Sequence, residues 1–187
     1  MRDASIRICG MGGQGVIMSG LVLGRAVSIY EDRWSTMIQS FGPEARGSTC
    51  SAQVLVADVP IAFPYVRRAD IFMAFSQAGY DRYIDELGEG GVLIYESDLI
   101  VPDRRVPDQV RRIGVPASRM VRDAFGTAVM FNMVMIGQLV AATGLVSAPA
   151  VQQSIVTSVP EGTTEMNCAA FDLGFQLRRP DRVPDGQ

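Results

Sequence analysis

Hydrophobic and polar positions change period repeatedly along the chain, and each change marks an element. Ile6-Arg7-Ile8-Cys9 is a short β-rich run that stops at Gly10-Met11-Gly12-Gly13-Gln14-Gly15, after which Val16 to Ile29 reads as a helix. Trp34 to Gln39 predicts a second strand, the segment from Ser40 to Ser48 is rich in turn formers, and Thr49 to Val56 alternates as a strand should. Asp58 to Pro64 then turns the chain. Ile71 to Phe75 is continuously apolar, as expected for a parallel strand covered on both faces. Gln77 to Leu87 predicts a helix, Gly88-Glu89-Gly90-Gly91 a break, and Val92 to Tyr95 another strand. Strands alternating with helices predict an α/β fold with a mainly parallel sheet.

Val101 to Pro116 carries prolines and arginines and predicts a surface excursion with one short strand around Arg112 to Val115. Thr127 to Ala142 is a nearly all-apolar helix interrupted by Asn132 and Gln138, too short and too polar for a membrane span and therefore read as buried. Gly144 supplies its stop. Ala150 to Ser158 predicts a shorter helix, and Thr163 caps a last one with Met166, Ala169, Ala170, Leu173 and Leu177 at helical spacing. Residues 1–177 are read as one domain and 178–187 as a C-terminal tail.

Composition narrows the chemistry. The chain is 48% hydrophobic with a formal net charge of -3, which suits one globular unit without an affinity for nucleic acid or an anionic membrane. Histidine is absent, and every basic residue is Arg. A Ser-His-Asp triad, a Schiff-base lysine and a Walker lysine are thus excluded within this chain. Cys9, Cys50 and Cys168 are scattered and resemble neither a disulfide framework nor a cluster-binding set, so no metal site is expected. The amino terminus lacks the apolar stretch of a signal peptide, and a cytoplasmic location is expected.

Gly10-x-Gly12-x-x-Gly15 matches the dinucleotide fingerprint, between a strand and a helix. Glycines let backbone approach a ligand while free amides and the helix N-terminus face a phosphate. The acidic residue required at the end of the second strand is missing, since that strand ends in Gln39-Ser40-Phe41. Tight strand–helix packing, a phosphate or other anion site (coenzyme A phosphates included), and dinucleotide binding all remain open for this turn. Ser40-Phe41-Gly42-Pro43-Glu44-Ala45-Arg46-Gly47 is a second candidate, either a rigid turn with a surface ion pair or a ligand or subunit contact through Arg46. Asn132 and Asn167 are expected to make buried hydrogen bonds to neighbouring loops. Tyr80 and Tyr83 offer phenols for acid–base work or simply pack beside a loop, and Arg67-Arg68 and Arg111-Arg112 read as solvated faces.

Taken together, Gly10-Met11-Gly12-Gly13-Gln14-Gly15-Val16 and Gln39-Ser40-Phe41-Gly42-Pro43-Glu44-Ala45-Arg46-Gly47 strongly resemble the gamma subunit of the 2-oxoacid:ferredoxin oxidoreductases. Phe75-Ser76-Gln77-Ala78-Gly79-Tyr80-Asp81 with Tyr83, Gly90-Gly91-Val92-Leu93-Ile94, Asn132-Met133-Val134 with Gly137, and Asn167 with Ala170-Phe171 and Gly174 extend the resemblance in order along the chain. The pattern is most similar to the 2-oxoglutarate branch, beside pyruvate, branched-chain 2-oxoacid and phenylglyoxylate enzymes. Ser48 departs from it, where a second glycine is expected.

The resemblance implies a single-domain, Rossmann-like three-layer sandwich inside a larger enzyme that converts a 2-oxoacid and coenzyme A to acyl-CoA and carbon dioxide while reducing ferredoxin. It implies that thiamine diphosphate, magnesium and iron–sulfur clusters sit on other subunits, and that this chain binds no cofactor and supplies no catalytic residue alone. The implied partners are alpha and beta thiamine-binding subunits, a small ferredoxin-like subunit, external ferredoxin and coenzyme A. The residues implied to face coenzyme A or a partner are Gly10, Gly12, Gly13, Gln14, Gly15, Ser40, Phe41, Gly42, Pro43, Glu44, Arg46 and Gly47. The competing expectation is a stand-alone Rossmann-type nucleotide-binding protein.

Overall fold

The computed structural model describes residues 3–42 and 48–177. Six strands, β1 (Ala4–Met11), β2 (Trp34–Phe41), β3 (Thr49–Ala57), β4 (Ala69–Ala74), β5 (Leu87–Glu96) and β6 (Arg111–Val115), form one sheet in the order β2-β3-β1-β4-β5-β6. β1, β4, β5 and β6 pair in parallel, whereas β3 is antiparallel to both β1 and β2. Only β3 is reversed, because a hairpin rather than a crossover helix joins it to β2. The carboxyl ends of the other five strands and the start of β3 consequently lie along one edge of the sheet.

Alternation along β1 sorts its side chains between two cores. Ile6 and Ile8 join the larger one, with α1 (Val16–Tyr30), α3 (Ala117–Phe125), α4 (Phe131–Thr143), α5 (Ala148–Ser158) and α6 (Thr164–Phe175). Cys9 joins the smaller one, closed by α2 (Gln77–Tyr83), the single turn Ile84–Glu86 and the stretch carrying Ile100, Val106 and Val110. This is the expected three-layer sandwich with unequal layers. Helix α4 is apolar on all sides because it lies inside the thicker layer, against β5 and between α3 and α6. Among the described residues no helix is long and apolar enough to cross a membrane.

Three local expectations are corrected. Gly88 to Gly91 lies inside β5 rather than breaking the chain: Leu87 already pairs with Ala69, and a Cβ at Gly91 would sit 3.0 Å from the Asp70 carbonyl. The glycines permit close passage past a register shift in β4. The predicted helix from Thr127 begins only at Phe131, and the unanticipated α3 precedes it, closed by Gly126 in the left-handed region at φ 72°. Thr163 occupies the cap position of α6 without capping it, because its hydroxyl donates to the Pro160 carbonyl at 2.8 Å.

Candidate functional site at the carboxyl edge of the sheet

The glycine turn connects β1 to α1, and each glycine has its own cause. Gly10 and Gly79 are packing glycines: a Cβ on Gly79 would lie 2.7 Å from the Gly10 nitrogen, and one on Gly10 would lie 2.9 Å from Phe75 Cβ. Gly13 and Gly15 have φ of 94° and 76°, the left-handed region that glycine enters without steric cost. Gly15 also accommodates Asn132, whose Nδ2 donates to the Gly15 carbonyl at 3.4 Å. The Gln14 side chain is spent within the turn, accepting from the Met11 N–H at 2.7 Å and donating to the Phe75 carbonyl at 3.3 Å. It therefore shapes the turn. No hydrogen bond from the N–H of Gly13 or Gly15 is found among the described residues.

The second candidate segment arrives beside the first. Met11 pairs with Thr49 across β1 and β3, the Gly12 N–H donates to the Ser48 carbonyl at 3.1 Å, and Gly42 N–H donates to the Thr49 carbonyl at 3.1 Å. Gly42 is needed there, since a Cβ would lie 2.6 Å from that of Ser48. Ser40 is exposed, and Phe41 presents 63% of its surface at this edge. Pro43, Glu44, Arg46 and Gly47 lie outside the described residues.

Behind the turn opens a cavity of about 440 Å³. Gly13, Gly15, Met18, Met130, Asn132, Met133, Thr163, Met166 and Asn167 are among its lining residues. The first turns of α1, α4 and α6 contribute to the wall, which gathers unsatisfied amides and the positive ends of three helix dipoles. Asn132 and Asn167 are 4% and 7% exposed. Asn132 bonds to the glycine turn as expected, whereas Asn167 donates to Thr163 of its own helix at 2.8 Å rather than to a neighbouring loop. Sequence reasoning identified both asparagines but not their convergence on one cavity. An amide interrupting an apolar helical run was the available signal.

On the thinner face, Arg82 donates to Thr49 Oγ1 at 2.9 Å and stacks over Tyr83, which also faces the buried Arg7. Arg7 pairs with Glu86 and donates to Ser51 Oγ at 3.1 Å. Tyr80 is fully buried and its hydroxyl donates to Asp103 at 3.2 Å; burial pushes its phenol up, away from acid–base use at neutral pH. Asp103 is held down to about 2 by the side chain and backbone N–H of Arg105, which also pairs with Asp81. These contacts fasten the 97–110 stretch to α2. Arg112 donates to the Val106 carbonyl at 2.7 Å and Arg111 to Ala142 at 3.1 Å, so neither is merely solvated.

The thiols do not form a ligand set. Cys9 and Cys50 belong to different cores, Cys168 is on α6, and burial raises all three thiols. Among the described residues no three His, Cys, Asp or Glu side chains converge on a metal position. The donors present thus do not fit an iron–sulfur cluster.

A glycine turn at the carboxyl edge of a mainly parallel sheet, with a cavity behind it, defines a Rossmann-like α/β fold. Residues 5–177 match the family model for pyruvate ferredoxin/flavodoxin oxidoreductase, and the chain belongs to that family. It is 38% identical to the 2-oxoglutarate synthase subunit KorC of Methanocaldococcus jannaschii over 93% of each chain. Among solved structures it superimposes on the keto/oxoacid ferredoxin oxidoreductase gamma subunit of Geobacter sulfurreducens with a TM-score of 0.79 and 34% identity, covering 92% of this chain and 96% of that one. It also matches the 2-oxoglutarate:ferredoxin oxidoreductase of Magnetococcus marinus, solved with 2-oxoglutarate, coenzyme A and succinyl-CoA, with a TM-score of 0.78 and 25% identity over all of this chain and 34% of that one.

Proposed function

We propose that this chain is the gamma subunit of a 2-oxoglutarate:ferredoxin oxidoreductase, in which it packs against the thiamine-bearing subunits and controls access of coenzyme A. The reaction takes 2-oxoglutarate and coenzyme A to succinyl-CoA and carbon dioxide and passes the released electron pair to ferredoxin. Thiamine diphosphate, magnesium and the iron–sulfur clusters belong to the alpha, beta and small ferredoxin-like subunits. The chemistry those groups supply is decarboxylation and electron transfer. This chain contributes binding and orientation, from the domain spanning residues 1–177.

The observation that carries the reading is the meeting of the two motif segments at one edge, joined by the Gly12 to Ser48 hydrogen bond beside unbonded glycine amides. Such amides recognise phosphate without a lysine. Gly12, Gly13 and Gly15 with Ser40, Phe41 and Gly42 form the described part of the proposed contact, and Gly10 and Gln14 hold its shape; Pro43, Glu44, Arg46 and Gly47 belong to the proposal on the sequence resemblance alone. The identity to the KorC subunit supports the 2-oxoglutarate branch.

Anaerobic affinity purification of the chain from its own cells, followed by dye reduction with a panel of 2-oxoacids, tests the reading. Copurification of thiamine-containing partners with 2-oxoglutarate turnover dependent on coenzyme A is expected. A preference for pyruvate or a branched-chain acid would move the chain to another branch, and a chain that emerges alone would refute the subunit assignment.

A further inference from the structure

We infer that a second, larger cavity, at the edge of the sheet opposite the glycine turn, is the seat of this chain's own residues 178–187, whose arginines it attracts. Helices α1, α4 and α6 start beside the glycine turn and finish at this cavity of about 940 Å³, which Glu31, Ala141 and Phe175 help to line. A helix carboxyl end carries partial negative charge and favours a cation in its last turn. None of these three helices has a basic residue there. The wall adds the carboxylates of Glu31 and Asp58 against one guanidinium among the described lining residues, that of Arg33, which pairs with both. The start of α5 brings a positive helix end, and Glu31 meets it by accepting the Ser147 N–H at 2.6 Å. On balance the described wall is negative.

Arginine already serves this region from elsewhere in the chain. Arg111 donates to the Ala142 carbonyl at 3.1 Å in the last turn of α4, and Arg33 donates to the Leu145 carbonyl just beyond it at 2.9 Å. Residues 178–187 lie outside the described residues; their sequence, Arg-Arg-Pro-Asp-Arg-Val-Pro-Asp-Gly-Gln, brings Arg178, Arg179 and Arg182 against Asp181 and Asp185. Its net charge is therefore opposite to that of the wall. The segment also starts in the right place, because Phe175, Gln176 and Leu177, the residues directly before it, all line the cavity. Tethered there, it reaches the wall at a high effective concentration without another chain being recruited. Apolar Val140, Leu145, Val146 and Phe175 offer cover for Pro180, Val183 and Pro184. Those prolines restrict the free segment in advance and so reduce the entropy lost on seating.

Limited trypsin digestion of the full chain at low ionic strength tests this, with mass spectrometry of the released 183–187 fragment reading cleavage after Arg182. A synthetic peptide of residues 178–187 gives the rate for the unseated segment. Cleavage in the folded chain is expected to be slower than in the peptide by about tenfold or more, because only the unseated fraction is cut. Salt at about 0.5 M should remove much of that protection. The first variant, Arg178→Ala with Arg179→Ala, changes nothing among the described residues; the second, Ala141→Trp, fills the cavity from a half-buried position. In both, the rate should rise to that of the peptide of matching sequence. A wild-type chain cut as fast as its peptide would overturn the inference, and so would protection that survives the two tail substitutions. Protection found only in the purified complex would also overturn it, since a partner subunit would then be the occupant.

Discussion

Replacing Gly174 by Ala opposes two effects of known size. Helix propensity favours alanine over glycine inside a helix by about 1 kcal/mol. At this position, however, a Cβ would run into the Val134 carbonyl and lie 2.8 Å from the Val134 Cα. Carbon atoms normally meet at about 3.5–4.0 Å, so α4 and α6 must part by roughly 1 Å. Gly137 faces α6 in the same way, with a Cβ 2.7 Å from the Phe175 nitrogen. The obstruction is backbone, which no rotamer change relieves. Parting the helices also loosens Met133, Val134, Ala170 and Phe171, all buried. Overpacking costs about 1–3 kcal/mol, and a backbone clash belongs at or above the upper end. Subtracting the propensity gain leaves about 2 kcal/mol of destabilisation, or a Tm lowered by roughly 4–8 °C for a chain of this size. Gly24→Ala is the control, since its Cβ would meet only Ser35 Oγ at 3.6 Å, and it should be neutral or stabilising by up to about 1 kcal/mol. Urea unfolding of the full chain measures both. A Gly174→Ala variant as stable as the wild type would refute the close-packing argument.

Further outcomes follow from other contacts. Gln14→Ala frees the Met11 N–H and the Phe75 carbonyl and should cost about 2 kcal/mol in urea unfolding while raising the KM for coenzyme A; retention of both values would show that the turn holds its shape unaided. Because Arg105 depresses the Asp103 carboxyl to about 2 from an ordinary 3.8, the latch over 97–110 should be fully present above pH 4 and lost as pH falls through 2. In Arg105→Ala an NMR titration should find Asp103 back in the ordinary carboxylate range, and an unchanged midpoint would contradict the assigned cause. The raised thiols predict slow alkylation by iodoacetamide at pH 7.5, with Cys168 ahead of the fully buried Cys9; mass spectrometry showing rapid labelling of Cys9 in the folded chain would overturn the burial account.

The period changes revealed most elements because each is set by local physics. β1, the glycine turn and α1 were legible to within a few residues, since β-branched residues, turn glycines and a helical apolar stripe follow one another without conflict. Antiparallel β3 between β2 and β1 was not legible. Thr49 to Ala57 alternates whichever neighbour it takes, and strand direction is fixed by pairing rather than by the strand itself. The glycines of β5 misled for a related reason: their purpose is the approach to Ala69 and Asp70, residues distant in sequence. At the site, Gly13 and Gly15 announced a turn, but Gln14 read as a ligand contact because its partners, Met11 and Phe75, appear only in three dimensions. The asparagines stood out as polar breaks in apolar helices, while the cavity they share depends on how α1, α4 and α6 come together.

The central claim is that coenzyme A-dependent turnover requires this chain although the redox chemistry lies elsewhere. The most direct test reconstitutes the thiamine- and cluster-bearing subunits with and without the chain and measures anaerobic dye reduction by 2-oxoglutarate as coenzyme A is titrated. The chain alone should show no activity, and its addition to the other subunits should restore saturable dependence on coenzyme A. Equal coenzyme A-dependent rates in a complex lacking the chain would contradict the account.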